Sequence, residues 1–251
     1  MNHANKQAAR VALVTGAARR IGAAIAKSLH QAGFRVVIHC HTSTSDANIL
    51  ANDLNQQRAN SALVLTADLT IKNEAIKLIK DTIHWGDQLD VLVNNASIFA
   101  KTTFDNFDDE TWDLLFNTNV KAPFWLSQTA YPFLATTNGS VINITDIHAE
   151  RPLMDYSVYC QSKAALNMQT KTLAREFAPN VRVNAIAPGA IAWPEDENAL
   201  SKELQQKIIA KTPLKQHGNP DYIAQAALAL ISNPFITGQT LSVDGGRVLV
   251  N

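Results

Sequence analysis

Seven short runs rich in β-branched residues are separated by longer stretches with helical spacing, and few folds accommodate that alternation. "RVALVT" (10–15), "RVVIH" (35–39), "SALVLT" (61–66), "LDVLVNN" (89–95), "SVINIT" (140–145), "VRVNAIA" (181–187) and "QTLSVDG" (239–245) read as strands. Several are apolar at successive positions, the pattern of parallel strands covered on both faces. Between them, "IGAAIAKSLHQAG" carries helical periodicity and stops at Gly33. "NEAIKLIKDTIHWG" does the same and is expected to stop at Gly86, the residue that favours a left-handed helix end. Strand, helix and strand repeated in this way predict a parallel sheet with right-handed crossovers, a doubly wound α/β fold in a single domain spanning 1–251. The first eight residues are expected to be flexible. The segment 188–211 is expected to be a loop, "PGAIAWPEDEN", followed by a short amphipathic helix with Leu200, Leu204 and Ile208 on one face. It reads either as a substrate loop over a ligand or as ordinary surface.

Composition removes several classes of function. The 22 basic and 22 acidic side chains cancel, so there is no electrostatic case for nucleic acid or an anionic membrane as partner. No apolar run approaches the ~20 residues of a membrane helix, and the polar start "MNHANKQAAR" lacks the core of a signal peptide. Cys40 and Cys160 have no metal-type spacing and are too few for a disulfide framework. A cytoplasmic location is expected.

"TGAARRIG" (15–22) follows the first strand and opens a helix. A glycine loop there lets backbone N–H groups and the positive helix end approach a pyrophosphate; the plain alternative is a tight β–α turn. Arg20 stands where a middle glycine is the usual choice, so a guanidinium lies near the phosphates or whatever covers them. The second strand ends in "HCHTS" with no carboxylate before Asp46. A carboxylate at that tip would hold the ribose hydroxyl of NAD and repel a 2′-phosphate. His39, His41, Thr42 and Ser43 offer donors instead, which favours NADPH. Two histidines on one side of a strand also evoke a metal site, but no third ligand is near in sequence, and no metal is expected. Asp68 in "TADLT" reads either as an acceptor for an adenine amino group or as a helix N-cap.

Tyr159 and Lys163 in "YCQSK" share one helical face. A free tyrosine, near pKa ~10, is a poor proton donor at neutral pH. A neighbouring ammonium favours the phenolate and is expected to lower that value. Tyr-x-x-x-Lys alone is common by chance; its context here is the glycine loop, "NNAS" (94–97), Asn119 and "PG" (188–189). Thirteen residues before Tyr159, where a hydroxyl is the usual partner, stands Asp146.

With "TGAARRIG", "NNAS", "YCQSK", "NAIAPG" and "SVDGG" in that order, the chain resembles the short-chain dehydrogenase/reductases over roughly residues 9–247. The resemblance implies a Rossmann-type sheet of order 3-2-1-4-5-6-7, a nicotinamide cofactor and a homotetramer. It implies cofactor contacts from Gly16, Arg20, Ile21 and Gly22, from His39, His41, Thr42 and Ser43, and from Asp68 and Leu69. Asn95, Ala96, Ser97, Tyr159, Lys163, Pro188 and Gly189 complete that set. Asn119, Tyr159 and Lys163 match the family's catalytic group, with Asp146 in place of its serine.

Within the family, the arginine in the glycine loop, "HCHTS", "NNASIF" and the Asp before Tyr-x-x-x-Lys resemble the pteridine reductases and the bacterial dihydromonapterin reductases. Thr42 departs from the arginine that pteridine reductases carry at that point. The resemblance implies reduction of a dihydropterin or dihydrofolate-type ring by NADPH. A carbonyl needs a hydroxyl to polarise its oxygen. A ring C=N needs a proton at nitrogen, and a buried carboxyl beside Tyr159 can share in delivering it. Arg20, Ser97, Phe99, Asp146 and Tyr159 would contact substrate, with Phe99 stacked on the ring or, alternatively, core. Asn119 would hold a water linking Lys163 to solvent. His148, Trp193, Cys160 and Met154 read as packing or loop. The alternative is a short-chain carbonyl or 3-oxoacyl thioester reductase that tolerates Asp for Ser.

Overall fold

The computed structural model describes residues 9–105, 107–193 and 199–250. Residues 1–8 and 194–198, within two of the segments singled out above, lie outside that set. Strands β1 (Val11–Val14), β2 (Arg35–Cys40), β3 (Ala62–Thr66), β4 (Val91–Asn94), β5 (Ser140–Ile144), β6 (Arg182–Pro188) and β7 (Thr240–Val243) form one sheet of order 3-2-1-4-5-6-7. Every pairing is parallel, with registers such as Leu13 opposite Val37 and Leu92, and Ile142 opposite Asn184. This is the Rossmann-type order expected from the motifs.

The period-two pleat sends alternate residues to opposite sides, and both sides are apolar. One core gathers Ala12, Val14, Val36, Ile38 and Val93 beneath α1 (Arg20–Gln31), α2 (Thr44–Gln57) and α8 (Pro220–Ser232). The other gathers Val11, Leu13, Leu92 and Val141 against α3 (Lys72–Gly86), α5 (Ala122–Thr137) and the 21-residue α6 (Ser157–Phe177). The catalytic candidates converge above the carboxyl ends of these strands, where open α/β sheets bind ligands.

One expected helix end is corrected. Gly86 is the last helical residue of α3, and the left-handed turn falls on Asp87 (φ 65°). Gly86 is needed for closeness instead: a Cβ there would lie 2.9 Å from both methyls of Val11. The short helix expected after residue 199 forms as α7 (Lys202–Lys211), capped by Ser201 Oγ accepting from Leu204 N–H. Its apolar face is not packed into the core; Leu204 is 44% exposed.

Candidate active site

The glycine loop has the form of a phosphate cradle. Gly16 takes φ +60°, and a Cβ on it would sit 2.9 Å from Ala96 Cα; one on Gly22 would sit 2.3 Å from the Gly16 carbonyl oxygen. Only glycine fits either place. Thr15 Oγ1 accepts from Asn95 and Ala96 N–H and donates to the Val93 carbonyl, while Asn95 Nδ2 donates to the Thr15 and Gly16 carbonyls. "NNAS" therefore braces the loop through the backbone and side chain of Asn95 and the backbone of Ala96. The cradle fits a dinucleotide pyrophosphate above the start of α1. Ile21 lines the first turn of that helix, partly buried against the core. Arg20 takes φ +56°, a left-handed conformation that costs an arginine about 1–2 kcal/mol. Strain of that kind concentrates at functional sites. Its guanidinium donates to the Trp193 carbonyl, across the cleft in the segment that follows β6, and Trp193 stacks on His217 at 4.3 Å.

His39 is not available to a ligand. It is buried, Nδ1 accepts from Gly16 N–H at 3.2 Å and Nε2 donates to the Ala67 carbonyl at 3.1 Å. Burial, with a smaller push from His41, lowers its pKa to about 4. The ring is thus a neutral prop for the glycine loop, a correction to its expected role as a cofactor donor. The sign of the linkage follows: the unfolded imidazole protonates near 6.5 and the folded one near 4. Its stabilising effect is complete above pH 6.5 and is lost as pH falls towards 4, about 3 kcal/mol in all at ~1.4 kcal/mol per unit. In acid melts, wild type should lose stability steeply between pH 6.5 and 4, and His39→Gln should flatten that slope.

At the tip of β2, His41 and Thr42 are exposed and Ser43 is partly so. Beside them is Arg19, which no motif marks. Arg19 Nη2 donates to Ser43 Oγ at 3.1 Å, and its Nε lies 3.6 Å from Asp46. The signal was the first arginine of "ARRIG", whose direction no spacing rule gives. Asp68 Oδ1 accepts from Thr70 N–H and Oγ1–H, which holds its carboxyl below the usual range. It closes a local turn; the cap position of α3 belongs to Ile71. Leu69 is buried in the core below.

Asn119 lies in a π-helical turn, Asn117–Lys121, between α4 (Asp109–Phe116) and α5. Such turns are rare and gather at functional sites. Its amide accepts from Ile98 N–H and donates to the Ile98 carbonyl and Ser162 Oγ, so it clamps the loop after β4 to α6. Tyr159 and Lys163 share one face of α6, both buried. Asp146 follows β5; its Oδ1 accepts from His148 N–H at 2.8 Å, and its Oδ2 accepts the Tyr159 hydroxyl proton at 2.7 Å. Lys163 Nζ donates to the Ile144 carbonyl at 3.0 Å and stands 5.7 Å from the centre of the Tyr159 ring.

Burial and the adjacent Asp146 raise the pKa of Tyr159 well above its ordinary value. This is opposite to the lowering expected from the Lys163 ammonium alone. The loss of solvent, and after it the nearby carboxylate, push the other way. Burial, partly offset by Asp146, brings Lys163 down to about 8. Phe99 forms the wall beside this group, stacked on Tyr156 at 4.3 Å and edge-on to Tyr159 at 4.7 Å. Ser97 is exposed next to it. Gly189 follows Pro188 at the end of β6, where a Cβ would meet Asp244 at 2.7 Å. A cavity of about 530 Å³ continues from Ala190 and Ile191 towards Tyr222 and Leu249. None of the Asp146, Tyr159 and Lys163 group lines it.

A Rossmann-type sheet with a glycine cradle and a buried Tyr–Lys pair on one helix defines a nicotinamide-dependent oxidoreductase, and the chain belongs to the short-chain dehydrogenase/reductase family. The family model described as "Enoyl-(Acyl carrier protein) reductase" matches residues 16–247. Among curated proteins, the chain is 33% identical to Pteridine reductase 1 of Leishmania tarentolae, over 96% of this chain and 97% of that protein. It is 34% identical to Glucose 1-dehydrogenase 2 of Bacillus subtilis, over 96% and 95%. A 3-oxoacyl-acyl-carrier-protein reductase of Staphylococcus epidermidis is also 34% identical, over 95% and 98%. No helix among the described residues is long and apolar enough to cross a membrane.

Proposed function

We propose that this oxidoreductase is an NADPH-dependent pteridine reductase, taking a dihydropterin or dihydrofolate-type ring to its tetrahydro form. One observation carries the reading: the 2.7 Å hydrogen bond from Tyr159 Oη to Asp146 Oδ2. A carbonyl reductase needs donors at this place, because a carbonyl oxygen can only accept. Here the serine hydroxyl is replaced by a carboxylate, and the tyrosine proton is already directed to it. A carbonyl oxygen entering this site meets an acceptor. A pterin edge brings N–H groups that a carboxylate can accept, while a neighbouring ring nitrogen awaits a proton.

Bound NADPH supplies the hydride from C4 of its nicotinamide. The chain's residues do the rest. Asp146 accepts from ring N–H groups and orients the ring. Tyr159, released from Asp146 by that exchange, gives its proton to the ring nitrogen. The Lys163 ammonium compensates the phenolate left behind. Asn119, its amide fixed by Ile98 and Ser162, holds a water that links Lys163 to solvent. Phe99 and Ser97 bound the ring slot, and Arg20 faces it from the glycine loop. The experiment is NADPH oxidation by the purified protein with dihydrobiopterin and dihydrofolate, beside a panel of ketones and acetoacetyl thioesters. Pterin turnover supports the reading; carbonyl turnover alone returns the enzyme to the 3-oxoacyl reductase alternative.

The preference for NADPH rests on Arg19, whose permanent charge lies by Ser43 at the tip of β2. Thr42 carries no charge, so Arg19 takes the part of an arginine after "HCH". A charge-assisted hydrogen bond is worth about 1.5–3 kcal/mol. Arg19→Ala should therefore raise KM for NADPH roughly 10- to 100-fold and leave KM for NADH nearly unchanged. Equal effects on both cofactors would argue against this role.

We further propose a homotetramer in the cytoplasm. Leu114 and Phe124, in α4 and α5, and Met168 on α6 are 43%, 41% and 59% exposed, and β7 is an open sheet edge carrying Leu241. Sedimentation of wild type should give about four times the chain mass, and Met168→Glu with Phe124→Glu a smaller species. Cys40 and Cys160, both free, suit a reducing compartment.

A further inference from the structure

The chain's C-terminal tail reaches the catalytic pair through a series of hydrogen bonds. Arg151 donates from its guanidinium to the Val250 carbonyl. Its own carbonyl lies 2.8 Å from His148 Nδ1, and its N–H donates to the Ile147 carbonyl. His148 N–H in turn donates to Asp146 Oδ1, leaving Oδ2 to Tyr159. The tail is itself held in place. Gly245 and Gly246, at φ +65° and +84°, turn it over Thr212 and Pro213. Asp244 accepts from Gly246 and Val248 N–H, and Arg247 donates to the Ile208 carbonyl of α7. Tail, Arg151, the 147–150 turn and Asp146 thus form one connected unit.

On its inner side the turn is held by α6, through buried Ile147 and through the Tyr159 hydroxyl on Asp146 Oδ2; on its outer side, among the described residues, Arg151 is its long-range anchor. The turn's remaining bonds are local, from Ala149 to Asp146 and from Glu150 to Ile147. Asp146 is thus held at two points, Oδ2 by Tyr159 of α6 and Oδ1 by His148 N–H, and the second depends on where the turn places His148. We propose that Arg151 is a positioning residue: through His148 it holds Asp146 Oδ1 in place while Tyr159 holds Oδ2, and the C-terminal tail is the point against which Arg151 does so. The role in catalysis rests on the reading of Asp146 and Tyr159 as the working pair. The mechanical linkage does not.

Two measurements separate these. Amide hydrogen exchange of residues 147–150 needs no substrate. Arg151→Ala and the chain ending at Val248 should each speed it about tenfold, with the combined variant no faster than either, because both remove one contact. In dihydrobiopterin assays the same variants should lower kcat about tenfold, with KM for NADPH within twofold of wild type, since small displacements of a reacting group are felt in the chemical step. Arg151→Lys should recover most of the rate. Unchanged exchange in both variants, or losses that multiply in the combined one, would overturn the proposal. Exchange that responds as stated in a protein without pterin turnover would leave the linkage standing and remove only the pteridine reading.

Discussion

Tyr159→Phe should lower kcat for dihydropterin reduction about a thousandfold, in the middle of the 10²–10⁴ range for loss of a positioned acid. Tyr159 is buried against Phe99 and Asp146, and phenylalanine keeps its shape, so stability and NADPH affinity should change little. The comparison to make is kcat against NADPH affinity by fluorescence; a parallel loss of both would mean that the hydroxyl holds the site together and is not the proton donor. The pH profile gives a second reading of the same group. The Lys163 pKa is lowered to about 8, so its charge is present below that pH and absent above it. The wild-type kcat should fall as pH rises through about 8, because the phenolate formed at Tyr159 then lacks its compensating ammonium. A flat profile from pH 7 to 9 would argue that Lys163 holds structure only.

Asp146→Ser exchanges an acceptor for a group that can donate. Pterin turnover should drop by about 10²-fold or more, since the ring N–H groups lose their charged partner and the tyrosine its present one. Carbonyl reduction, weak or absent in wild type, should appear or rise, as the serine hydroxyl and Tyr159 then both face a carbonyl oxygen with protons. The assay is the two-substrate panel, run on both proteins. Unaltered pterin turnover in the variant would reduce Asp146 to the cap of the short turn at 147–149, which it also is. The opposed movement of the two activities is the signature sought, because general loss of stability lowers both.

Much of this arrangement is legible in the sequence. The alternation of apolar runs with helical stretches implied a covered parallel sheet, and the motif order implied its strand order. Tyr159 and Lys163 share a helical face by arithmetic, and Gly16 and Gly22 follow a strand and open a helix. What proved illegible was direction. "HCHTS" presents His39 and His41 as equivalents two residues apart, yet one is sealed beneath the glycine loop and the other is open to solvent. "RR" presents two arginines, and they part: Arg19 to Ser43, Arg20 across the cleft to Trp193. The π-helical turn at Asn119 has no composition of its own. Gly86 looked like a helix stop because glycine usually is one; it is there because Val11 lies against it.

The sequence by itself determined the repeating pattern, and with it the fold, the cradle and the spacing of Tyr159 from Lys163, since these follow from local periodicity and short-range sterics. The tertiary structure alone decided how Asp146, Tyr159 and Lys163 act on one another. Their ionisation depends on distances across chain segments and on exclusion of water. Burial first, and then a carboxylate at 2.7 Å, raise the Tyr159 pKa even though an ammonium stands on the next turn of the helix.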